Sequence, residues 1–498
     1  MKAWRTENSD GDRHPRAGLA LLGLAVALRC IEYLHNKAIW LDEAHLALNI
    51  LQRDYAGLTE RLDFGQGAPL AFLWAEKFFS TVFGPGEFSL RLVPLVASLL
   101  SCVLLYAFLR RMLPGGGSWI AFSIFALAVP VIRYAAEVKA YAADLAVALA
   151  LLLLLFRLER KPLTPVYGAT LAIAGCASVW LAFPAVFVLG GIGTVFLVQS
   201  AQRKQWRRAA AFLLIGIAWL ASIAFDYWTM LRYNTENAEV RTWWLDRFMP
   251  LPPHSLPDLN WFVRTYFEVF AEPLGLGAGG VGALLFLLGA YALWRNNRLR
   301  LALLLAPVAA ALLASGLQVY PFMGRFLLFL VPVLLAGIGE GWQFLAANVR
   351  HRAVMAAAGI VLLLQPAAGA AKGILKPAAQ GVRPAFQYLR DHWKDGDKLY
   401  VYHWAAPSFR YYELKTNTAF PTIEGQSLRA DWAGYVAELA PLRGGERVWI
   451  FLTNTPRQLV GQEDKFILTH LDAIGERTDE KAFEESSVYL YNLRASSP

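Results

Sequence analysis

The sequence predicts a polytopic α-helical membrane protein of about 11 transmembrane helices, with a surface helix in the first outer loop and a small C-terminal α/β outer domain. Three observations carry this reading. Of 498 residues, 56% are hydrophobic and only 17% charged, whereas soluble domains are about a quarter charged. Apolar stretches of the ~20-residue length that crosses a bilayer recur along the chain. Polarity returns after Ala371 and persists to the C-terminal end. With a mean hydropathy of +0.38, the chain is excluded from ordinary soluble enzymes and from disordered or fibrous classes. The 47 Lys+Arg against 38 Asp+Glu give a net charge of +9. In a membrane chain that excess reports orientation and implies no nucleic-acid partner. Cys30, Cys102 and Cys176 lie far apart inside apolar runs, which predicts neither a disulfide nor a zinc site.

The eleven expected spans are Gly18–Leu34, Phe88–Leu109, Trp119–Ile132, Tyr141–Phe156, Leu163–Ala182, Pro184–Val198, Ala209–Tyr227, Gly277–Trp294, Leu299–Leu317, Phe326–Phe344 and Val354–Ala371. A twelfth apolar segment, Pro69–Phe83, carries Glu76 and Lys77 in its middle. Placing it along the surface puts Arg110 and Arg111, Arg157, Arg160 and Lys161, Arg203 to Arg208, Arg295 to Arg300, and Arg350 and Arg352 on one side. The tail residues Lys2, Arg5, Arg13 and Arg16 join them there. Counting the segment as a span breaks that positive-inside pattern. The expected domains are therefore a cytoplasmic tail (1–17), a transmembrane domain (18–380) and an extracytoplasmic α/β domain (381–498). Ala25-Val26-Ala27 faintly resembles a signal cleavage site, but the apolar run continues to Leu34, so an uncleaved first span is expected. In the polar C-terminal part, Ala385–Trp393 reads as a helix, and Lys398–Trp404, Arg447–Leu452 and Ser487–Leu493 read as strands.

The outer loops are where chemistry is expected. In the first, Trp40-Leu41-Asp42-Glu43-Ala44-His45 places Asp42 ahead of a helical pattern, as its N-cap. A carboxylate at a helix N-terminus stays ionised, so Asp42 or Glu43 suits a general base. His45 reads as a surface polar residue or a substrate contact. The second loop, Arg133-Tyr134-Ala135-Ala136-Glu137-Val138-Lys139, leads into Tyr141 and Asp144. Three-to-four spacing places Glu137, Tyr141 and Asp144 on one helical face. An acid at the depth of Asp144 is a functional candidate by default, while Lys139 is equally explained by an ion pair with a neighbouring acid. The long loop Leu231–Leu276 holds Trp243, Trp244, Trp261, Phe262, Tyr266, Phe267 and Phe270, an expected interfacial belt. It also holds Arg232, Arg241, Arg247 and Arg264. Tyr320-Pro321-Phe322-Met323-Gly324-Arg325 places a guanidinium suited to phosphate at the mouth of a span.

Together these pieces resemble polyprenyl-phosphate-dependent membrane glycosyltransferases of the C-type fold, especially protein O-mannosyltransferases and lipid A aminoarabinose transferases. The resemblance rests on Trp40-Leu41-Asp42-Glu43-Ala44, Gly67-Ala68-Pro69-Leu70, the segment Phe83-Gly84-Pro85-Gly86-Glu87-Phe88-Ser89-Leu90-Arg91-Leu92, the Tyr134/Glu137/Lys139/Tyr141 loop, and Arg325-Phe326 with Pro332. It covers roughly residues 18–371, with a weaker echo around Arg383–Tyr412. It implies Asp42 as the base toward an acceptor hydroxyl, Glu43 in support and Glu137 as a second catalytic acid. Lys139 and Arg325, with Arg133 and Tyr320, would hold the donor phosphate, and His45, Tyr141, Asp144 and Gln66 would contact donor or acceptor. Members usually carry a basic residue before Pro-Pro where this chain has Gly67-Ala68-Pro69, which leaves Gln66 or Arg61 as the substitutes. No cofactor is implied as required, with a divalent cation left open. The implied partners are a polyprenyl-phosphate sugar and an acceptor hydroxyl on protein, lipid A or glycan.

Two rivals make different predictions. An O-antigen ligase or polymerase would use a large loop with arginines and a histidine, for which Leu231–Leu276 with His254 gives a foothold. A lipid-linked glycan transporter would show paired repeats and ionisable residues near the midplane; the sequence shows no repeat.

Overall fold

The computed structural model describes residues 15–113, 115–232, 245–277, 279–349, 351–376, 381–428, 431–453 and 463–494. Lys2, Arg5 and Arg13 of the tail, Arg241, Trp243 and Trp244 of the long loop, and Arg350 lie outside the described residues. The chain forms two compact units. The first comprises Met1–His35, Tyr55–Phe79 and Arg91–Pro377, and the second Asn36–Asp54, Ser80–Leu90 and Ala378–Pro498.

In the first unit a helix stands at each of the eleven expected spans. Among the described residues, eight have the length and composition of a complete crossing, from Arg16–Leu34 to Ala353–Leu375. A ninth arises if the bent pair Gly116–Leu127 and Val129–Ala136 is one span. The two others are Pro165–Leu181, of 17 residues, and Gly279–Asn296, which opens on three glycines in four positions. Small residues give the second of these another use. A Cβ on Gly341 would sit 1.8 Å from the Leu285 carbonyl oxygen, so helices Gly279–Asn296 and Val331–Asn348 touch backbone to backbone. The segment expected to lie along the surface is the helix Leu70–Phe83. Its Glu76 is fully buried, and Glu76 and Arg91 both act electrostatically on Tyr33.

At one end of the bundle Arg300 joins three helices. Its Nε and Nη2 donate to Glu159 at 3.2 and 3.1 Å, and its Nη1 lies 3.7 Å from Glu340. Asn297 adds a bond to Glu159 at 2.8 Å. A bidentate guanidinium is suited to such a junction because two donors fix its plane.

The second unit is built on a five-stranded sheet in the order β2-β1-β3-β5-β4, with β1 Lys398–Val401, β2 Thr422–Glu424, β3 Val448–Thr453, β4 Glu476–Phe483 and β5 Ser486–Asn492. The first three strands are parallel, with Tyr400 opposite Ile423 and Ile450, and β3, β5 and β4 run antiparallel. β3 is buried along five of its six residues, so it reads as a continuous apolar run. Helix Leu41–Gln52 of the first loop packs in this unit on helix Ala406–Thr416. A buried carboxylate, Glu87, ties its segments together. It is 2% exposed and accepts hydrogen bonds from Arg383 Nε at 3.0 Å, from Tyr412 Oη at 3.0 Å and from Lys415 Nζ. Arg383 also donates to the carbonyls of Asn36 and Lys37 at 2.7 and 3.1 Å.

Candidate functional site

The first unit gathers most of the expected site residues around an interruption in the chain between residues 128 and 140. Pro130 has no N–H to continue the helix, and its ring opposes the carbonyl four residues back. The two helical pieces bend by 54°. Residues Tyr134–Ala136 then form a 3-10 turn, Glu137 is extended at φ −133°, ψ 133°, and helix resumes only at Tyr141. Glu137 therefore does not share a helical face with Tyr141 and Asp144, contrary to the spacing argument: the helix starts four residues later than that argument required. The loop is also buried. Glu137 is 6% and Lys139 9% exposed, and Ala135 and Val138 are fully covered. Arg133 alone among these side chains reaches solvent.

A buried ammonium needs partners. Lys139 Nζ donates to Gln66 Oε1 at 2.7 Å, and its amide donates to the Glu137 carbonyl at 2.7 Å. Gln66, named from the sequence as one substitute for a missing basic residue, thus engages a lysine instead of replacing one. It also lines a small cleft with Arg61, Gly67 and Met230.

An aromatic series runs beside this turn. Tyr134 and Tyr141 have ring centroids 5.1 Å apart, and Tyr141 and Phe326 6.0 Å apart, each edge to face. The Arg325 guanidinium sits 5.6 Å from the Tyr141 ring and 5.7 Å from that of Phe326. Arg133 Nη2 donates to the Tyr134 hydroxyl at 2.8 Å, and both Glu137 and Glu272 act electrostatically on Arg133. Burial raises the Glu272 carboxyl above its ordinary range, with Arg133 opposing the shift. Tyr320 donates to the Phe326 carbonyl at 2.8 Å, which holds the turn carrying Arg325. Burial, then Asp144 and Tyr141, push the Tyr320 phenol well above its ordinary range, so it stays a proton donor. Asp144 is 8% exposed, and its Oδ1 has no hydrogen-bond partner among the described residues.

Asp42, Glu43 and His45 belong to the second unit, on helix Leu41–Gln52. The N-cap is Trp40, so Asp42 stands inside the first turn and does not cap the helix. The apolar repeat from Ala44 onward hid the two leading helical residues. Asp42 is half-buried and Glu43 1% exposed. Two first-turn acids still complement the helix dipole. The His45 carbonyl accepts from Asn49 Nδ2 at 2.7 Å. His254, the foothold for a ligase, lies at an exposed capping box, where its amide donates to Asp258 Oδ2 at 2.9 Å. Among the described residues no group of three His, Cys, Asp or Glu side chains is placed to hold a metal ion.

Sequence reasoning gave no role to Glu87, Arg29 or Glu272. Charged residues inside or beside apolar runs were the available signal for the first two. Nothing local marks Glu272.

Residues 67–228 match the family model of the dolichyl-phosphate-mannose-protein mannosyltransferases. No curated protein matches the chain in sequence. Its fold is similar to that of ArnT from Cupriavidus metallidurans bound to undecaprenyl phosphate, with a TM-score of 0.56 at 12% identity over 95% of this chain and 97% of that one. It is similar also to the Archaeoglobus fulgidus oligosaccharyltransferase in complex with Zn and sulfate, with a TM-score of 0.53 at 12% identity over 95% and 73% of the two chains. The arabinofuranosyltransferase AftD from Mycobacteria gives 0.50 at 15% identity, over 97% of this chain and 40% of that one. The chain has the C-type fold of membrane glycosyltransferases, as the resemblance in its sequence implied.

Proposed function

We propose that the chain is an inverting glycosyltransferase that moves a sugar from a polyprenyl-phosphate carrier to an acceptor hydroxyl at the outer face of a bacterial inner membrane. The observation that carries this reading is the buried Lys139, held by Gln66 and adjoining Glu137, on the turn created by the break at Pro130. Glu137 and Lys139 lie within the stretch matching the mannosyltransferase model. A buried, positioned ammonium is a fitting partner for a phosphate dianion, and an arginine on aromatic faces adds a second fixed charge.

In the reaction the acceptor oxygen bonds to the anomeric carbon from the face opposite the phosphate. The bond from that carbon to the phosphate oxygen breaks, and the polyprenyl phosphate departs with the electron pair. Phosphate is already a good leaving group, so its charge needs stabilising more than it needs a proton. Lys139 and Arg325 supply that charge, with Arg133 and the Tyr320 phenol around them. Asp42 takes the acceptor proton, Glu43 supports it, and Glu137 orients Lys139 and the reacting groups. The N-terminal tail lies in the cytoplasm and the second unit outside. No cofactor is needed in this reading; a divalent cation is the alternative source of positive charge, and turnover abolished by EDTA and restored by one metal would favour it.

The test is turnover by the purified chain in nanodiscs, given a panel of labelled polyprenyl-monophosphate and -diphosphate sugars with candidate acceptors. Asp42→Asn and Glu137→Gln run in parallel. Consumption of one monophosphate donor, lost in both variants, is the expected result and identifies the sugar. Undiminished turnover by Asp42→Asn removes that residue as the base. Selective use of a diphosphate donor favours a ligase or polymerase.

A further inference from the structure

Arg29 sits in the middle of an apolar run and is fully buried within the first unit. A guanidinium inside a membrane-spanning helix is costly, and its usual explanation is a carboxylate or a function. Here its partners are neither. Nη1 donates to the Ala25 carbonyl at 2.9 Å, Nε to Ser98 Oγ at 3.1 Å, and Nη2 to the Phe125 carbonyl at 3.3 Å. The guanidinium carbon lies 4.3 Å from the centroid of the Phe125 ring.

Phe125 gives this arrangement its meaning. It belongs to the last turn of helix Gly116–Leu127, which ends where Pro130 interrupts the span. The carbonyls of that turn have lost their helical donors, and they form the negative end of the helix dipole. The other donor to the Phe125 carbonyl is the Ala128 amide at a long 3.4 Å. Arg29 supplies both a hydrogen bond and a positive charge there. On the far side of the break, Leu28 packs with Ile132 and Ala370 in one buried cluster. The helix bearing Arg29 thus touches the chain both before and after its 54° bend.

We propose that Arg29 is a positioning residue for the reaction: it caps the broken helix and thereby fixes the direction of the 129–140 segment that carries Glu137 and Lys139. The proposal rests on the transferase reading. It needs the fork of the guanidinium and not only its charge, because one ammonium cannot reach Ser98, Ala25 and Phe125 together.

The experiment uses the full chain in nanodiscs, with Arg29→Lys, Lys139→Gln and the double variant. Three quantities are read: kcat and KM with the donor found above, thermal unfolding, and amide hydrogen exchange across 129–140. Arg29→Lys is expected to fold, to lose about tenfold or more in kcat, and to raise exchange in 129–140 while leaving 92–112 unchanged. Adding Lys139→Gln should then cost less than it does alone, since both changes act on one element. Wild-type kcat and KM in Arg29→Lys, or additive losses in the double variant, overturn the proposal and leave a structural arginine. Should the wild-type chain turn over no donor, the transferase reading falls separately. Hydrogen exchange then decides: a rise confined to 129–140 supports the positioning role, and an unchanged or global response overturns it.

Discussion

Two buried carboxylates in the two units have opposite surroundings. Glu87, in the second unit, is 2% exposed and meets Arg383, Lys415 and the Tyr412 hydroxyl. Burial alone would raise its carboxyl, but the Lys415 hydrogen bond and the charges of Arg383 and Lys415 outweigh that and hold it below the ordinary range. Asp144, in the first unit, is 8% exposed with one oxygen unpartnered among the described residues. A saturated buried charge serves architecture. A carboxyl with an unpartnered oxygen, five residues from Lys139, is in our proposal a candidate ligand contact.

The largest effect that would sharpen this contrast lies in the first unit. Lys139→Met and Glu137→Gln are each expected to lower turnover by about 10²- to 10³-fold with little change in melting temperature. A loss of fold instead of rate would move both residues to the structural side of the comparison. Next comes Glu87→Ala, which leaves two cations facing a cavity. It should destabilise the second unit by about 3 kcal/mol, the low end for a buried pair because both cations are partly exposed. Denaturant unfolding followed by proteolysis within 378–498 measures it.

The break at Pro130 was written in the sequence as a proline inside an apolar run, yet its consequence was not legible. Three-to-four spacing joined Glu137 to Tyr141 and Asp144, whereas a 3-10 turn and an extended residue separate them. Spacing rules presuppose continuous helix, and whether helix continues past a proline depends on what satisfies the freed carbonyls. The membrane helices were readable because each is a local apolar run. In the second unit β1, β3 and β5 were readable for the same reason. β4, with the sequence Glu-Arg-Thr-Asp-Glu-Lys-Ala-Phe, was missed because an edge strand has little apolar pattern to display. Glu87 was seen as part of a motif, but its partners lie some 300 positions away in sequence and no local signal points to them.

Acidification gives a smaller test. Because the Glu87 carboxyl is held below its ordinary range when folded, its contribution is fully present above the unfolded value near ~4.3. It declines as pH falls toward the depressed folded value and is gone below it. Wild-type stability should therefore fall more steeply than that of Glu87→Gln between about pH 5 and the acid limit, and parallel curves would contradict the paired assignment. The smallest effect is expected for Asp144→Asn, which alters a side-chain oxygen that has no hydrogen-bond partner among the described residues. Its stability should change by less than about 1 kcal/mol while donor turnover falls. Equal losses of both would make Asp144 a second Glu87.

The second unit is assembled from 36–54, 80–90 and 378–498, and this has a consequence for how the protein is made. Its first two pieces leave the ribosome roughly 300 residues before the third, at a synthesis rate of about 5–20 residues per second. For that interval helix Leu41–Gln52 lacks the helix it packs on, and Glu87 lacks both its cations. The unit bearing Asp42 can therefore mature only after the last membrane helix has been inserted, so premature termination between Leu375 and Lys415 should yield a chain whose bundle is complete and whose first loop never settles.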